Sequence, residues 1–299
     1  MIPFPVVGVT RPNFLILTPI CIALGLASTL MSGHDFPWHL FAVVLLGAVM
    51  AHISVNSLNE YADFHSGLDF KTDRTPFSGG SGTLVIQPRL APYALAIGIG
   101  SLLITFICGL YLLQHVGWGL IPIGVVGMLI ILTYTGWINR HRILVLIAPG
   151  LSFGPLMVVG THYALTGRYD SAALLLSMIP FFLVNNLLLL NQLPDMEADQ
   201  SVGRDNFVIA WRPQKSAWLF LVFGVSAYFV IILGILIDSL PLTSLLGLLT
   251  AGLMYTIFKG VSEYRGEVDQ LVPYLAKNVL VTLATPVLVF LGIMADIFL

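Results

Sequence analysis

The sequence predicts an all-α, polytopic membrane protein of about nine transmembrane helices in one bundle, and three observations lead there. Hydrophobic residues make up 57% of the chain and charged residues 9%, with a mean hydropathy of +0.93. That composition excludes an ordinary soluble domain and leaves no basic surface for nucleic acid. The apolar residues also gather into runs of nearly twenty, the length a helix needs to cross a hydrocarbon layer of roughly 30 Å. Finally, twelve of the thirteen Lys and Arg residues fall on one side of the resulting topology, with only Arg168 opposite. Cytoplasmic loops retain such charges, so the amino terminus is expected in the cytoplasm. Residues 1–299 read as a single membrane-embedded domain, an integral protein of the kind found in a bacterial inner membrane.

The first run, 13–31, is too long and its flank too weakly basic for a cleaved signal, so it reads as a retained span. The second, 38–58, closes on Asn59-Glu60-Tyr61-Ala62-Asp63 and opens a long cytoplasmic connection, 59–90. Spans at 91–113 and 118–137 follow, the latter carrying Tyr134. The fifth, 143–163, contains Gly154-Pro155, and the sixth, 171–193, contains Asn185 and Asn186, amides read as bridges between helices. A second long cytoplasmic connection, 194–215, precedes spans at 216–237, 240–258 and 277–298. The opposite side has only short connections, and four of the fifteen acids lie there: Asp35, Asp170, Asp238 and Asp296. Cys21 and Cys108 sit inside spans as packing residues and support no disulfide. The seven histidines show no metal-ligand spacing.

Chemistry concentrates where the second and sixth spans end. Asn59 and Asp63 are four residues apart, as are Asn191, Asp195 and Asp199, so on continuous helices each set shares one face. The two acidic stretches lie on the same membrane side, four spans apart, which predicts a duplicated four-helix unit plus a ninth helix with a site at the repeat interface. Mg2+ is commonly held by one or two carboxylates together with substrate phosphates. Lys71, Arg74 and Arg204 follow the acids on loops able to fold over the opening and neutralise a diphosphate. Ser78-Gly79-Gly80-Ser81-Gly82 adds backbone N–H groups that can form an anion nest. A lone acidic helix end is often merely solvated; the duplication sets these apart.

These residues resemble the UbiA superfamily of intramembrane aromatic prenyltransferases, with nine helices and two aspartate-rich cytoplasmic motifs. Asn59-Glu60-Tyr61-Ala62-Asp63 with Asp69 is similar to the first motif, and Asp195-x-x-x-Asp199 to the second. Thr75-Pro76-Phe77-Ser78-Gly79-Gly80-Ser81-Gly82 and Gly154-Pro155-Leu156-Met157 resemble the branch acting on 1,4-dihydroxy-2-naphthoate in menaquinone synthesis. The resemblance implies that Asn59, Asp63, Asp69, Asp195 and Asp199 hold Mg2+, with Asp63, Asp195 and Asp199 central to catalysis. Asn59, Lys71, Arg74, Arg204 and Arg140 would bind the diphosphate of a polyprenyl donor, and the Tyr134 ring would face an allylic cation. Glu60 stands where Asp is usual, and Arg140 replaces a lysine that often follows the tyrosine. After the second motif, Asp205-Asn206-Phe207 departs from the usual basic residue and Thr, which leaves the acceptor open between dihydroxynaphthoate, 4-hydroxybenzoate and homogentisate. From a different class, a cation-coupled transporter would use paired acids near the bilayer midplane.

Overall fold

The computed structural model describes residues 4–34 and 36–299, so Asp35 lies outside the described residues. All regular structure among those residues is helical. The main helices are α1 (Leu17–Met31), α2 (Trp38–Ser66), α3 (Ala91–Val116), α4 (Ile121–Thr133), α5 (Arg142–Thr166), α6 (Ser171–Asn191), α7 (Phe207–Leu236), α8 (Leu242–Glu263) and α9 (Val268–Phe298). Seven are long and apolar enough to span a membrane, and an eighth span arises if the bent pair Val6–Phe14 and Leu17–Met31 counts as one. The expected span at 118–137 is instead a shorter helix, Trp118–Thr133, so the count of nine is not reached by length and hydropathy.

Several boundaries differ from the hydropathy reading for local physical reasons. α2 runs past 58 to Ser66, about 43 Å in all, because Asn59 to Ser66 contain no helix breaker and Gly67, at φ +77°, supplies the left-handed cap. Its last turns therefore project beyond the hydrocarbon layer and carry the first motif. The second motif does not continue α6. Pro194 lacks an amide donor and disfavours a helical residue before it, so α6 ends at Asn191 and a new short helix, Met196–Ser201, begins after Asp195. The expected stacking of Asn191 with Asp195 and Asp199 on one continuous face is thus replaced by a turn. α7 starts at Phe207, inside the connection expected at 194–215, and kinks where Arg212 precedes Pro213.

Polar side chains and small residues knit the bundle. Asn185 Oδ1 accepts from Gly150 N at 2.6 Å, and Asn186 Nδ2 donates to Phe220 O at 2.8 Å, joining α6 to α5 and α7. Asn278 Nδ2 reaches Asn186 O at 3.2 Å from α9. Both α6 amides are therefore helix bridges, as expected. One apolar core unites α1 with α5–α9, and a second joins α1, α2, α3 and α5. α2 packs along α3 and α6 along α7, a pairing that recurs at an interval of four helices. α4 has no buried residue, and its Val125, Leu129 and Leu132 remain more than half exposed. Outward Leu103, Ile107, Val222 and Phe229 are likewise exposed, as lipid-facing positions should be.

Candidate functional site

The bend before α1 and the end of α2 meet at one network. Arg11, in a left-handed conformation ahead of Pro12, donates from Nε to Glu60 Oε1 at 2.7 Å and from Nη2 to Asn59 Oδ1 at 3.4 Å. Glu60 is 1% exposed and also accepts from Ser81 N at 2.8 Å and Ser81 Oγ at 2.7 Å. Its longer side chain is thereby committed to Arg11 and the glycine loop. Asn59 Nδ2 donates to Asp63 Oδ2 at 3.0 Å and to Thr135 Oγ1 at 3.1 Å.

Arg204 links the two motifs directly. Its Nη1 donates to Asp199 Oδ1 at 3.0 Å, and its Nη2 donates to Asp63 Oδ1. Burial disfavours the guanidinium charge, but Asp63 and Asp199 more than offset that and raise its pKa. Gly79 N donates to Asp195 Oδ2 at 3.2 Å, so the glycine loop touches the second motif as well as the first. Gly79 and Gly80 take φ of +82° and +72°, open to glycine without strain. The predicted nest donors are thus turned toward carboxylates of both motifs.

Three buried oxygens converge here without partners: Asp69 Oδ2, Asp195 Oδ1 and Asn191 Oδ1. Burial, reinforced by Glu60 and Asp63, pushes the Asp69 carboxyl up to about 7. Burial, reinforced by Asp199, does the same to Asp195, also to about 7. Burial raises Asp199 too, against the pull of Arg204. Carboxylates short of positive charge and orphaned oxygens are the environment a cation relieves. Among the described residues no three acids already stand in cation-holding geometry, since Arg204 lies between Asp63 and Asp199.

Asn59, Asp63, Asp69, Asp195, Asp199, Arg204 and Tyr134 all line one polar pocket of about 120 Å³. Arg140 does not; it is exposed and lies outside the lining. Lys71 and Arg74 are exposed at its edge, Lys71 Nζ donating to Ser201 Oγ at 3.3 Å and Arg74 Nη2 to Asp69 O at 2.6 Å. The spacing argument missed Arg11, which had counted only as a topological charge; no local signal marks it, because its partners lie about fifty positions on. Asn191 belongs to the pocket as the motif reading expected.

Beneath the pocket lies an apolar chamber of about 670 Å³ between α1, α2, α3, α4, α5 and α6. The two cavities share Arg11, Asn59, Phe77, Tyr134, Leu188 and Asn191 in their walls. The middle of α5, Ser152–Val159, is wound as a π-helix, which turns Phe153, Leu156 and Met157 toward the chamber. Val125, Leu129 and Leu132 of α4 line the chamber and are each more than half exposed.

A family model described as the UbiA prenyltransferase family matches residues 16–278. The 1,4-dihydroxy-2-naphthoate octaprenyltransferase of Bacillus subtilis (strain 168) is 27% identical over 237 residues, 77% of this chain and 73% of that protein. A structure of digeranylgeranylglyceryl phosphate synthase in membranes superposes with a TM-score of 0.70 at 13% identity, covering 97% of this chain and 98% of the other. A UbiA homologue from Archaeoglobus fulgidus bound to GPP and Mg2+ superposes with a TM-score of 0.63 at 16% identity, covering 96% and 99%. At these identities the structural likeness establishes a shared fold.

Proposed function

Because the chain belongs to the UbiA prenyltransferase family, we propose that it moves a polyprenyl group from a polyprenyl diphosphate to an aromatic acceptor, 1,4-dihydroxy-2-naphthoate, in menaquinone synthesis. The observation that carries this reading is the shared wall: an acid-lined pocket sized for a cation and a diphosphate opens through Asn59, Tyr134 and Asn191 onto an apolar chamber suited to an isoprenoid tail. The acceptor follows the name of the Bacillus subtilis relative. Twelve basic residues on one side support a cytoplasmic site in a bacterial inner membrane.

In this reading Asn59, Asp63, Asp195 and Asp199, with Asp69, hold Mg2+. Bound there, the metal supplies positive charge to the diphosphate as it leaves. Arg204 and Arg11 donate to diphosphate oxygens from within the pocket, and Lys71 and Arg74 do so from its edge. The allylic C–O bond breaks with its electrons leaving on the diphosphate, and the Tyr134 ring stabilises the carbocation at the shared wall. Leu188 and Phe77 keep water from that position. The acceptor's ring electrons form the new C–C bond, and loss of the ring carboxylate as carbon dioxide, or of a ring proton, restores aromaticity.

Protein reconstituted in lipid with labelled polyprenyl diphosphate should form prenylated product from dihydroxynaphthoate only when Mg2+ is present. Product from 4-hydroxybenzoate or homogentisate instead would replace the acceptor and keep the reaction. Undiminished diphosphate release by a folded variant carrying Asp63→Asn and Asp195→Asn would overturn the site assignment.

A further inference from the structure

His52 is 6% exposed, lies within the membrane-spanning part of α2, and lines the apolar chamber. It occupies the same helical face as Asn56, Asn59 and Asp63, at spacings of four, three and four, so one polar stripe descends from the pocket into the chamber. His52 ends that stripe, two turns or about 10 Å below Asn59.

Away from the shared wall, four other polar side chains that line the chamber each donate to a backbone carbonyl. Thr105 Oγ1 donates to Gly47 O at 3.1 Å, Ser152 Oγ to Ala148 O at 2.8 Å and Thr161 Oγ1 to Met157 O at 2.6 Å. Asn56 Nδ2 donates to Thr10 O at 2.9 Å. His52 differs: Nδ1 is fixed at 2.9 Å from Thr18 Oγ1, while Nε2 has no hydrogen-bond partner among the described residues. Phe153, from the π-helical segment, packs edge-to-face on the imidazole with centroids 4.9 Å apart, which locks the ring plane. A chamber serving only a hydrocarbon tail gains nothing from an oriented imidazole nitrogen, whose desolvation costs free energy until a partner arrives.

We propose that His52 is a specificity-determining residue that hydrogen-bonds a ring hydroxyl of the aromatic acceptor through Nε2, with Thr18 and Phe153 fixing its orientation. This rests on the prenyl-transfer reading above for the acceptor's class. A hydroxyl held at His52 sets the ring across the gap toward Asn59 and Tyr134, with its reacting carbon aimed at the shared wall. Acceptors lacking that hydroxyl would leave the imidazole nitrogen unpaired.

The test compares 1,4-dihydroxy-2-naphthoate with 1-hydroxy-2-naphthoate and 4-hydroxy-2-naphthoate by binding titration in lipid nanodiscs containing geranyl diphosphate and Mg2+, which needs no turnover. The natural protein should bind the dihydroxy compound roughly tenfold tighter than one of the monohydroxy compounds. His52→Asn keeps a polar atom near Thr18 but not at Nε2, and should bind the two alike. His52→Gln, whose amide reaches toward the Nε2 position, should recover part of the difference. Geranyl diphosphate affinity should be unchanged in both variants, which separates an acceptor contact from damaged folding or a tail contact. Discrimination that persists in His52→Asn, or is missing from the natural protein, overturns the proposal. Intact discrimination without prenylated product from any acceptor would instead fault the transfer reading while supporting the His52 contact.

Discussion

Arg204 stands in the electrostatic position that a divalent cation would take, bonded to one carboxylate from each motif. Removing it leaves two buried acids facing each other, so Arg204→Gln should lose about 3 kcal/mol of stability. Added Mg2+ should return much of that loss in a thermal unfolding measurement; no recovery would place the cation elsewhere. Asp69 and Asp195, both raised to about 7 by burial and then by neighbouring carboxylates, give a pH signature. An unfolded carboxyl titrates near 4, so the folded protein binds the extra protons, and these two groups' stabilising contribution is lost as pH rises from about 4 through 7. Because protons and Mg2+ compete for the same oxygens, Mg2+ should raise the unfolding midpoint at pH 8 considerably more than at pH 6. Equal shifts at both would contradict their role as ligands. The acids were legible in the sequence because their spacing is local. Arg11 and the commitment of Glu60 to Ser81 were not, since both depend on contacts made only after the chain folds.

Among the elements, the glycine loop from Ser78 to Gly82 combines left-handed backbone with close neighbours. A Cβ at Gly80 would stand 3.1 Å from Glu60 Oε1 and 3.2 Å from Asp69 Oδ1, on a backbone with φ of +72°. Gly80→Ala should therefore reduce kcat/KM for the donor about tenfold while leaving helix content by circular dichroism unchanged. Wild-type kinetics would show that the loop takes no part in the reaction. Hydropathy located the helices because lipid and core both reward apolar runs, yet it misjudged their ends. The polar last turns of α2 and the start of α7 are helical despite their composition, whereas Pro194 stops α6 before the second motif. The π-helical stretch in α5 has no hydropathy signal at all; Pro149 precedes it and Pro155 lies within it, without specifying its winding.

For the whole molecule, the distribution of charge predicts a sidedness that can be read chemically. The native thiols Cys21 and Cys108 are buried, so a membrane-impermeant maleimide should label Ser201→Cys only from the cytoplasmic side and Arg168→Cys only from the other. Labelling in the reverse sense would invert the topology. The all-helical plan and the pairing of acidic ends were visible in the sequence, but the joining of pocket and chamber was not, because it depends on how six helices meet. α4 contributes Val125, Leu129 and Leu132 to the lining of that chamber and buries none of its residues. A donor whose tail is dissolved in the bilayer would meet the proposed chamber by two-dimensional diffusion. Its effective concentration is therefore its mole fraction among lipids, and diluting the vesicles with buffer should leave the rate per protein unchanged, whereas adding inert phospholipid to the same vesicles should slow it in proportion.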